Sequence, residues 1–408
     1  MKFFNVVSVE EAKQLIKEKV PTLNKVETIP IEGAVGKILA EDIFSHEQVP
    51  AFKRSSVDGY AVKAKDTFGA SESMPAFLTN VGKVEMGVEA SKPIQFGEAM
   101  YVPTGGMLPE GSDSMVMIEH CEEIDDLLNI YRQVAPRENV IFAGEDIDHN
   151  QLVLSKGTEL GPQHLAALGG LGIYEICVYQ PVKIGYFSTG NEIVPYTTKE
   201  LPLGKVRDMN ALIVGQWVKK WNAEFVYGGI ISDSFEELQN KAKEMLQEVD
   251  FLLLSGGSSV GTKDYTVEVM ESLGEPGLQF HGISIKPGKP TIFSLAQEKP
   301  ILGLPGHPAS AFIIFFLFGK EVIYRLRGEE VVYTKKSNAI LTKNLSSTPG
   351  RTDYIRVKLF EKDQQLYAEP ILGKSGLIST LLESNGILEI SSEREGYEKG
   401  NLVPVYLF

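Results

Sequence analysis

From residue 181 onward, short apolar runs alternate with amphipathic segments along the chain. The apolar runs have the length of strands, and the segments between them repeat their apolar positions with the period of a helix. Strands that alternate with helices predict a doubly wound, mostly parallel sheet with helices on both faces. The expected strands are 182–188, 225–230, 250–255 and 300–304, and the expected helices are 210–221, 235–248, a segment ending near 272, and 309–326.

Two other parts of the chain have a pattern of short strands. Glycines interrupt the apolar runs between residues 62 and 140, which predicts a compact β-rich domain. Residues 331–408 return to the same pattern and predict a small C-terminal barrel or sandwich. Strands are expected at 29–39, 115–118, 130–134, 337–341, 354–360, 366–371 and 402–407.

The N-terminal segment carries a helix signal. Ser8 and Glu11 have the spacing of a capping box, so a helix is predicted from Val9 to Lys19. Residues 143–178, with a short helix at 163–168, are expected to pack back against it, which makes the β-rich domain an insertion. The chain is therefore expected to be multidomain, α/β plus β. Its expected domains are an N-terminal linker domain (1–45 with 143–178), an inserted β-rich domain (46–142), a central α/β domain (179–328) and a C-terminal β-barrel-like domain (329–408).

Composition limits the classes of partner. The chain carries 54 acidic and 40 basic residues, a formal charge of −14, which argues against nucleic acid as the main partner. Cys121 and Cys177 are too few and too far apart for a disulfide framework or a thiolate zinc site. Lys2 leads into a polar segment rather than a signal peptide, and the apolar run 311–318 is too short to cross a bilayer. We therefore expect a cytoplasmic protein without a membrane partner.

Three loops rich in glycine, proline and lysine follow apolar runs in the second half of the chain. Glycines allow a close backbone approach, and free N–H groups at a helix start favour a negative ligand. Their repetition at three strand ends predicts a site for a phosphate-bearing ligand, although one such turn alone is more often a tight connection. The candidate binding residues are Gly256, Gly257, Ser258, Ser259, Gly261, Lys286, Lys289, Pro305 and Gly306. His307, between glycine and proline, is interpreted as a turn residue.

Seven motifs occur in a fixed order along the chain. They are Ser56-Val-Asp-Gly-Tyr-Ala61, Pro103-Thr-Gly-Gly106, Ser188-Thr-Gly-Asn-Glu192, Ser255-Gly-Gly-Ser-Ser-Val-Gly261, Lys286-Pro-Gly-Lys-Pro290, Gly303-Leu-Pro-Gly-His-Pro308 and Gly350-Arg-Thr-Asp353. In that order they resemble the molybdopterin molybdenumtransferases, which comprise MoeA and the E domain of gephyrin. The resemblance implies a homodimer that inserts molybdate into adenylylated molybdopterin with Mg²⁺ and releases AMP. The chain departs from the family pattern at Asn191, Ser258, Met209 and Gly282.

The resemblance gives roles to the acidic residues. Mg²⁺ takes oxygen ligands and bridges phosphates, so Glu192, Asp233 and Asp264, each after a predicted strand, are the expected metal ligands and catalytic acids. Each acid alone is more often a helix cap or a solvated residue, but all three fall on one sheet edge. Asp58 and Thr104 are the catalytic candidates of the β-rich domain, which in the family faces the α/β domain of the other subunit.

Molybdate is a tetrahedral dianion, and its pocket needs positive side chains together with hydroxyl or backbone donors. Arg351 and Ser375 of the C-terminal domain suit that chemistry, with Lys286 as a point charge. Contacts with the adenylyltransferase that makes the substrate and with apo-molybdoenzymes are also expected from the family. The choice between molybdate and tungstate stays open, because the two anions share charge and shape.

Two other functions are weighed against this one. A molybdopterin adenylyltransferase shares only the α/β domain and would leave Asp58, Thr104 and Arg351 without a task. A scaffold protein, as gephyrin is at synapses, is disfavoured because the chain has no fused adenylyltransferase domain and no long Pro/Ser linker.

Overall fold

The computed structural model of the chain describes residues 6–256, 265–329 and 334–408. Contacts within the chain define two compact units, one formed by residues 1–27 and 179–408 and the other by residues 28–178. The finer division into four domains stays a prediction. Within the described ranges, no helix is long and apolar enough to span a membrane.

Helix α1 (Val9–Lys19) has the predicted bounds and the predicted capping box. The Ser8 hydroxyl accepts from the Glu11 amide at 3.1 Å, and the Glu11 carboxylate accepts from the Ser8 amide at 2.7 Å. The apolar face of the helix is buried in the core of the larger unit, together with Ile323 and Leu326. The expected packing of residues 143–178 against this helix stays a prediction. Leu168 and Ile176 belong to a cluster formed within residues 28–178.

The unit of residues 28–178 is β-rich, as predicted, and contains one α-helix among its described elements, α2 (Pro162–Gly170). The strands are β1 (Val26–Pro30), β2 (Ile43–Phe44), β3 (Arg54–Ser55), β4 (Gly59–Val62), β5 (Ala76–Lys83), β6 (Glu98–Val102), β7 (Ser114–Met117), β8 (Cys121–Ile124), β9 (Leu127–Ile130), β10 (Val140–Ile141), β11 (Leu152–Leu154) and β12 (Glu175–Tyr179). The main sheet has the order β7-β4-β6-β5-β9-β8. The strand expected at 29–39 ends at Pro30, and the one expected at 130–134 is Leu127–Ile130.

The strands in the α/β part of the larger unit are β13 (Lys183–Thr189), β14 (Ile193–Val194), β15 (Val206–Arg207), β16 (Glu224–Ile231), β17 (Phe251–Ser255), β18 (Pro276–His281), β19 (Ile285–Lys286), β20 (Ile292–Ala296) and β21 (Lys299–Leu304). Six of them form one sheet in the order β16-β13-β17-β21-β20-β18. The helices are α3 (Asn210–Lys220), α4 (Phe235–Glu248), α5 (Thr266–Ser272), α6 (Pro308–Ile314) and α7 (Lys320–Leu326), and a π-helical turn at Phe315–Gly319 joins the last two.

Helices cover both faces of this sheet, which confirms the predicted doubly wound class. Helices α1, α3, α6 and α7 contribute to the core on one face, and α4 and α5 contribute to the core on the other. The first four strands in the sheet order are parallel, so their carboxyl ends meet at one edge. Strand β20 is antiparallel to β21, and β18 is antiparallel to β20. The alternation of strands and helices did not predict these two strands.

The C-terminal part is a closed barrel, which resolves the expected choice between barrel and sandwich. The elements are β22 (Lys336–Leu341), β23 (Leu345–Ser346), β24 (Thr352–Lys362), β25 (Gln365–Pro370), α8 (Ser379–Leu382), β26 (Gly386–Ile390), β27 (Gly396–Tyr397) and β28 (Leu402–Leu407). Five strands form the ring β24-β25-β22-β28-β26, and a pairing of β24 with β26 closes it. Strand β19 adds to β24 in parallel, with Lys286 opposite Asp353, and so joins the loop that contains Lys286 and Lys289 to the barrel.

Candidate functional site

A cavity of about 1390 Å³ lies between the carboxyl edge of the parallel strands and the barrel. The loops that follow β13, β17 and β21 form one side of it, and the segments before β24 and after β25 form the other. A ligand site is expected at this edge of an open α/β sheet. Eight of the residues predicted from the sequence line the cavity: Glu192, Gly256, Lys286, Lys289, Pro305, Gly306, Arg351 and Ser375.

Three of the other predicted residues are not among those that line the cavity. Asp233 is not among the residues that line the cavity, and Asp58 and Thr104 belong to the unit of residues 28–178. Five predicted residues lie outside the described ranges: Gly257, Ser258, Ser259, Gly261 and Asp264.

Gly256 follows β17 and needs to be glycine. Its φ of 112° lies in the left-handed region, and a Cβ there would stand 2.3 Å from the carbonyl oxygen of Thr189. The backbone after β17 therefore passes directly over the end of β13. Any side chain at this position would push the two loop ends apart.

Asp208 is a site residue that the sequence did not single out. It is 3 % exposed, and its Oδ2 accepts hydrogen bonds from Ser188 Oγ at 2.7 Å and from Tyr227 OH at 3.2 Å. Its Oδ1 accepts from the amide of Ala211 at 3.1 Å, in the first turn of α3. Burial and the Asp208 charge raise the pKa of Tyr227 to about 12. One carboxylate thus fixes the carboxyl end of β13 to β16 and to the start of α3.

Asn210 is a second site residue that the sequence did not single out. Its Nδ2 donates to Ser255 Oγ at 2.8 Å and to the carbonyl oxygen of Gly306 at 3.0 Å. Since a carbonyl can only accept, the amide nitrogen of the side chain must face Gly306. Asn210 therefore connects the end of β17 to the loop after β21. The available signal is the polar run Arg207-Asp-Met-Asn210 at the start of helix α3.

Glu192 and Asp233 approach the same edge from different loops. The amide of Asn191 donates to Asp233 Oδ2 at 3.4 Å, and the amide of Asp233 donates to Asn191 Oδ1 at 3.5 Å. Asn191 therefore presents an amide, rather than a second carboxylate, to Asp233. Among residues 6–256, 265–329 and 334–408, no group of three or more His, Cys, Asp or Glu side chains forms a metal site. Mg²⁺ commonly uses only one or two protein carboxylates together with phosphate oxygens, so this arrangement is compatible with such an ion.

The barrel side of the cavity is basic. Arg351 forms an ion pair with Asp353, with 3.0 Å between Nε and Oδ1, and the Asp353 side chain is buried. Ser375 Oγ lies 3.0 Å from Nδ1 of His307, so the histidine interpreted as a turn residue also contacts a predicted oxyanion residue. The positive side chains form a local exception in an acidic chain, as the sequence indicated.

Asp58 and Thr104 are brought together in the β-rich unit. The Thr104 amide donates to Asp58 Oδ1 at 2.8 Å, although the two residues are 46 positions apart. Gly59 begins β4, which lies between β6 and β7 in the sheet. A Cβ there would lie 1.9 Å from the Val116 carbonyl oxygen, so glycine is needed for this close packing.

These features define a multidomain α/β protein with a large, basic cavity at the carboxyl ends of its parallel strands, closed on the far side by a β-barrel. The chain belongs to the MoeA family, the molybdopterin molybdenumtransferases of molybdenum cofactor biosynthesis. Residues 7–172 match the family described as MoeA N-terminal region (domain I and II), residues 185–325 match "Probable molybdopterin binding domain", and residues 338–408 match MoeA C-terminal region (domain IV). The resemblance drawn from the seven motifs is confirmed.

Individual relatives extend over the whole chain. A Methanocaldococcus jannaschii protein named for molybdopterin biosynthesis is 36% identical over 99% of this chain and 98% of its own length. The molybdopterin molybdenumtransferase of Bacillus subtilis is 31% identical over 93% of this chain and 89% of its own. The crystal structure of a molybdopterin biosynthesis moeA protein from Pyrococcus horikoshii superposes with a TM-score of 0.87 at 33% identity, covering 99% of this chain and 100% of that one.

Proposed function

We propose that this protein inserts molybdate into adenylylated molybdopterin, in a reaction that needs Mg²⁺ and releases AMP. The observation that carries the proposal is the cavity itself. It joins the loop ends of the parallel strands, which suit a phosphate-bearing ligand, to barrel residues that suit a tetrahedral oxyanion. The membership of the chain in the MoeA family supports this assignment.

The α/β side of the cavity binds the adenylylated pterin in this proposal. Gly256, Pro305 and Gly306 bring backbone to the cavity, where a pyrophosphate would bind. Gly257, Ser258, Ser259 and Gly261 stay predicted contacts. Lys286 and Lys289 add positive charge. Asn210 hydrogen-bonds to Ser255 and Gly306 and so holds these loop ends in place, while Asp208 holds the end of the neighbouring strand β13 through Ser188.

The acids act on the phosphoanhydride. Glu192, Asp233 and Asp264 would hold Mg²⁺ together with phosphate oxygens of the substrate. When bound, the ion would neutralise charge on the phosphates during cleavage. The chain itself contributes positioning, because the loops orient the anhydride toward the barrel side of the cavity.

The barrel side receives molybdate in this proposal. Arg351 supplies a planar fork of donors, Ser375 supplies a hydroxyl, and Lys286 supplies a point charge from the strand that adds to the barrel. The Asp353 partner of Arg351 fixes the guanidinium in one orientation. The arrangement brings the oxyanion to the same cavity as the pterin.

We further propose a cytoplasmic homodimer in which Asp58 and Thr104 of one subunit complete the site of the other. The hydrogen bond between them gives these two residues a fixed geometry from which to act together. The adenylyltransferase that delivers the substrate and the apo-molybdoenzymes that receive the product are the protein partners.

The deciding experiment incubates purified protein with adenylylated molybdopterin, Mg²⁺ and molybdate and measures AMP release. We expect AMP release that depends on both molybdate and Mg²⁺. A parallel incubation with molybdopterin and ATP tests the adenylyltransferase alternative, and pyrophosphate release there would favour it. If neither mixture reacts with correctly folded protein, a scaffold role replaces the enzymatic one. Tungstate in place of molybdate measures the anion preference.

A further inference from the structure

His307 extends from the α/β side of the cavity toward the barrel side. It is the N-cap residue of α6, but its side chain makes no capping hydrogen bond to that helix. Its Nδ1 instead lies 3.0 Å from Ser375 Oγ, in the barrel segment that lines the opposite side. The ring also lies against Gly376, where an added Cβ would stand 3.8 Å from His307 Cδ2. The imidazole therefore connects the two sides of the cavity, which belong to one compact unit.

The hydrogen bond between these two side chains is not needed to attach the barrel segment. The amide of Ala309 already donates to the carbonyl oxygen of Ser375 at 3.2 Å, so the backbone holds the segment at the start of α6. The contact between His307 and the Ser375 hydroxyl therefore acts on the direction of that hydroxyl rather than on the position of its backbone.

The direction of this hydrogen bond decides what Ser375 offers to a ligand. A hydroxyl has one hydrogen and two lone pairs, and a histidine Nδ1 donates or accepts according to its protonation. If Ser375 donated to His307, its hydrogen would point away from the cavity and only lone pairs would face an anion. If His307 donates, the Ser375 hydrogen is left for the anion. An ionised oxyanion only accepts hydrogen bonds, so its binding requires the second arrangement.

We propose that His307 is a positioning residue that donates from Nδ1 to Ser375 Oγ and thereby turns the Ser375 hydrogen toward an oxyanion in the cavity. This role rests on the proposed function, in which Ser375 is a molybdate ligand. Two forms of histidine provide the donor: the imidazolium and the neutral tautomer with its hydrogen on Nδ1. Within the described ranges no hydrogen bond holds Nε2 of His307, so the ring can adopt either form. His307 therefore acts on the anion through Ser375.

Protonation of His307 should strengthen anion binding, because the imidazolium can only donate. Among the described residues that line the cavity, His307 is the only histidine. In the range in which histidine gains its proton, about pH 8 to 5, lysine, arginine and carboxylate side chains ordinarily keep their charge. The other charged groups of the cavity are of these types: the basic ones are Arg207, Lys286, Lys289, Arg351, Arg356 and Lys374, and the acids are Glu192, Asp208 and Asp353.

The test measures molybdate binding by calorimetric titration in the wild type and in three variants of His307. Asparagine can place an N–H donor where Nδ1 stands, aspartate can place only an acceptor there, and leucine leaves the hydroxyl without a partner. We expect His307→Asn to bind molybdate within about threefold of the wild type. His307→Leu should raise Kd about three- to tenfold, because the hydroxyl is no longer held in place, and His307→Asp should raise it about a hundredfold.

The matched control is His149→Asp, which adds the same charge at an exposed histidine that does not line the cavity. It should leave Kd for molybdate unchanged. Thermal unfolding of each variant checks the fold, and the comparison of asparagine with aspartate is the decisive one, because the two side chains have the same shape.

A double-mutant cycle with Ser375→Ala separates the proposed role from a general effect on the fold. Ser375→Ala alone should weaken molybdate binding about tenfold. In the Ser375→Ala background, His307→Leu should cause no further loss, because no hydroxyl remains to be positioned. Equal losses from His307→Leu with and without the hydroxyl would overturn the proposal. An asparagine variant as weak as the leucine variant, or an aspartate variant that binds like the wild type, would overturn it as well.

The pH profile gives an independent readout. Molybdate binding to the wild type should strengthen as the pH falls from about 8 to 6, and His307→Asn should lose this dependence. Identical profiles for the two proteins would contradict the donor role.

Failure of this role and failure of the proposed function give different results. Normal AMP release with unchanged molybdate binding in all His307 variants refutes only the role of His307. The expected pattern of binding in a protein that releases no AMP refutes only the function. A wild type that binds no molybdate refutes both.

Discussion

The side-chain nitrogen of Asn210 lies 2.8 Å from Ser255 Oγ and 3.0 Å from the Gly306 carbonyl oxygen, so one amide joins the ends of two neighbouring parallel strands. Replacement by aspartate keeps the shape but puts a carboxylate oxygen against the Gly306 carbonyl. We expect Asn210→Asp to reduce kcat/KM for the pterin substrate by about ten- to a hundredfold through misplacement of the two loops. The molybdate dependence should hardly change.

Steady-state AMP release at varied pterin and varied molybdate separates these two effects. The control is Asn338→Ala, an exposed asparagine on the barrel. An Asn210→Asp protein with wild-type kinetics for both substrates would mean that the connection between the strand ends does not position the loops.

A second prediction concerns the shared active site. Asp58→Ala and Asp264→Ala should each abolish AMP release. If the site combines residues from two subunits, a heterodimer of these variants contains one intact site out of two. Random mixing makes half of the dimers heterodimers, so the mixture should recover about a quarter of the wild-type activity.

Mixing must include a step that dissociates and reassembles the dimers, and sedimentation velocity should show the dimer before and after it. Recovery of no activity from well-formed heterodimers would place both aspartates in the site of a single chain. A fully active monomer would exclude a shared site altogether.

We expect Arg351 to determine the molybdate concentration that the reaction needs. Arg351→Lys keeps the positive charge beside Asp353 but loses the planar fork of donors. We expect the molybdate concentration for half-maximal insertion to rise by roughly ten- to a hundredfold, with nearly normal affinity for adenylylated pterin. Titration of AMP release against molybdate measures the change. Lost pterin affinity with unchanged molybdate dependence would assign Arg351 to the nucleotide instead.

The capping box of α1 gives a prediction on stability. Ser8→Ala removes the hydroxyl that accepts from the Glu11 amide and should cost about 1 kcal/mol at neutral pH. Hydrogen bonds from Ser8 lower the pKa of Glu11 in the folded protein. A lowered carboxyl pKa stabilises the fold above the unfolded pKa, and this contribution disappears as the pH falls through the folded pKa.

Urea unfolding of the wild type, Ser8→Ala and Glu11→Gln at several pH values tests both parts. The backbone amide that donates to Glu11 remains in Ser8→Ala, so Glu11→Gln is the variant that removes the titrating carboxylate. The difference in the free energy of unfolding between the wild type and Glu11→Gln should be largest at neutral pH and should shrink on acidification below the ordinary pKa of glutamate. A difference that stays constant with pH would show that the charge of Glu11 contributes nothing to the capping box.

Local signals in the sequence predicted much of the fold. Helix 235–248 was placed with its observed bounds, because its periodicity and flanking residues act within a few positions. Strands β18 and β20 were missed because no helix separates them from the next strand, as the alternating pattern requires, and because prolines and glycines interrupt the segment that contains them. The order of the motifs identified the family. A motif does not show, however, which residues from distant segments a given side chain contacts.

In the candidate site, too, residues in distinctive local motifs were predicted, and residues that act through distant partners were not. Glu192, Lys286 and Arg351 were identified because their loops have distinctive sequences, and all three line the cavity. Asp208 matters through Tyr227, and Asn210 matters through Gly306, which are partners from distant segments.

The place of α1 in the core sets an order on events during synthesis. This helix begins at Val9, yet it packs beside α7, where the Arg325 guanidinium donates to the Lys17 carbonyl oxygen at 3.0 Å. A ribosome that adds roughly 5–20 residues per second completes α7 about a quarter of a minute to a minute after it completes α1. Helix α1 therefore leaves the ribosome well before α7, and its apolar face lacks this part of its core during that interval.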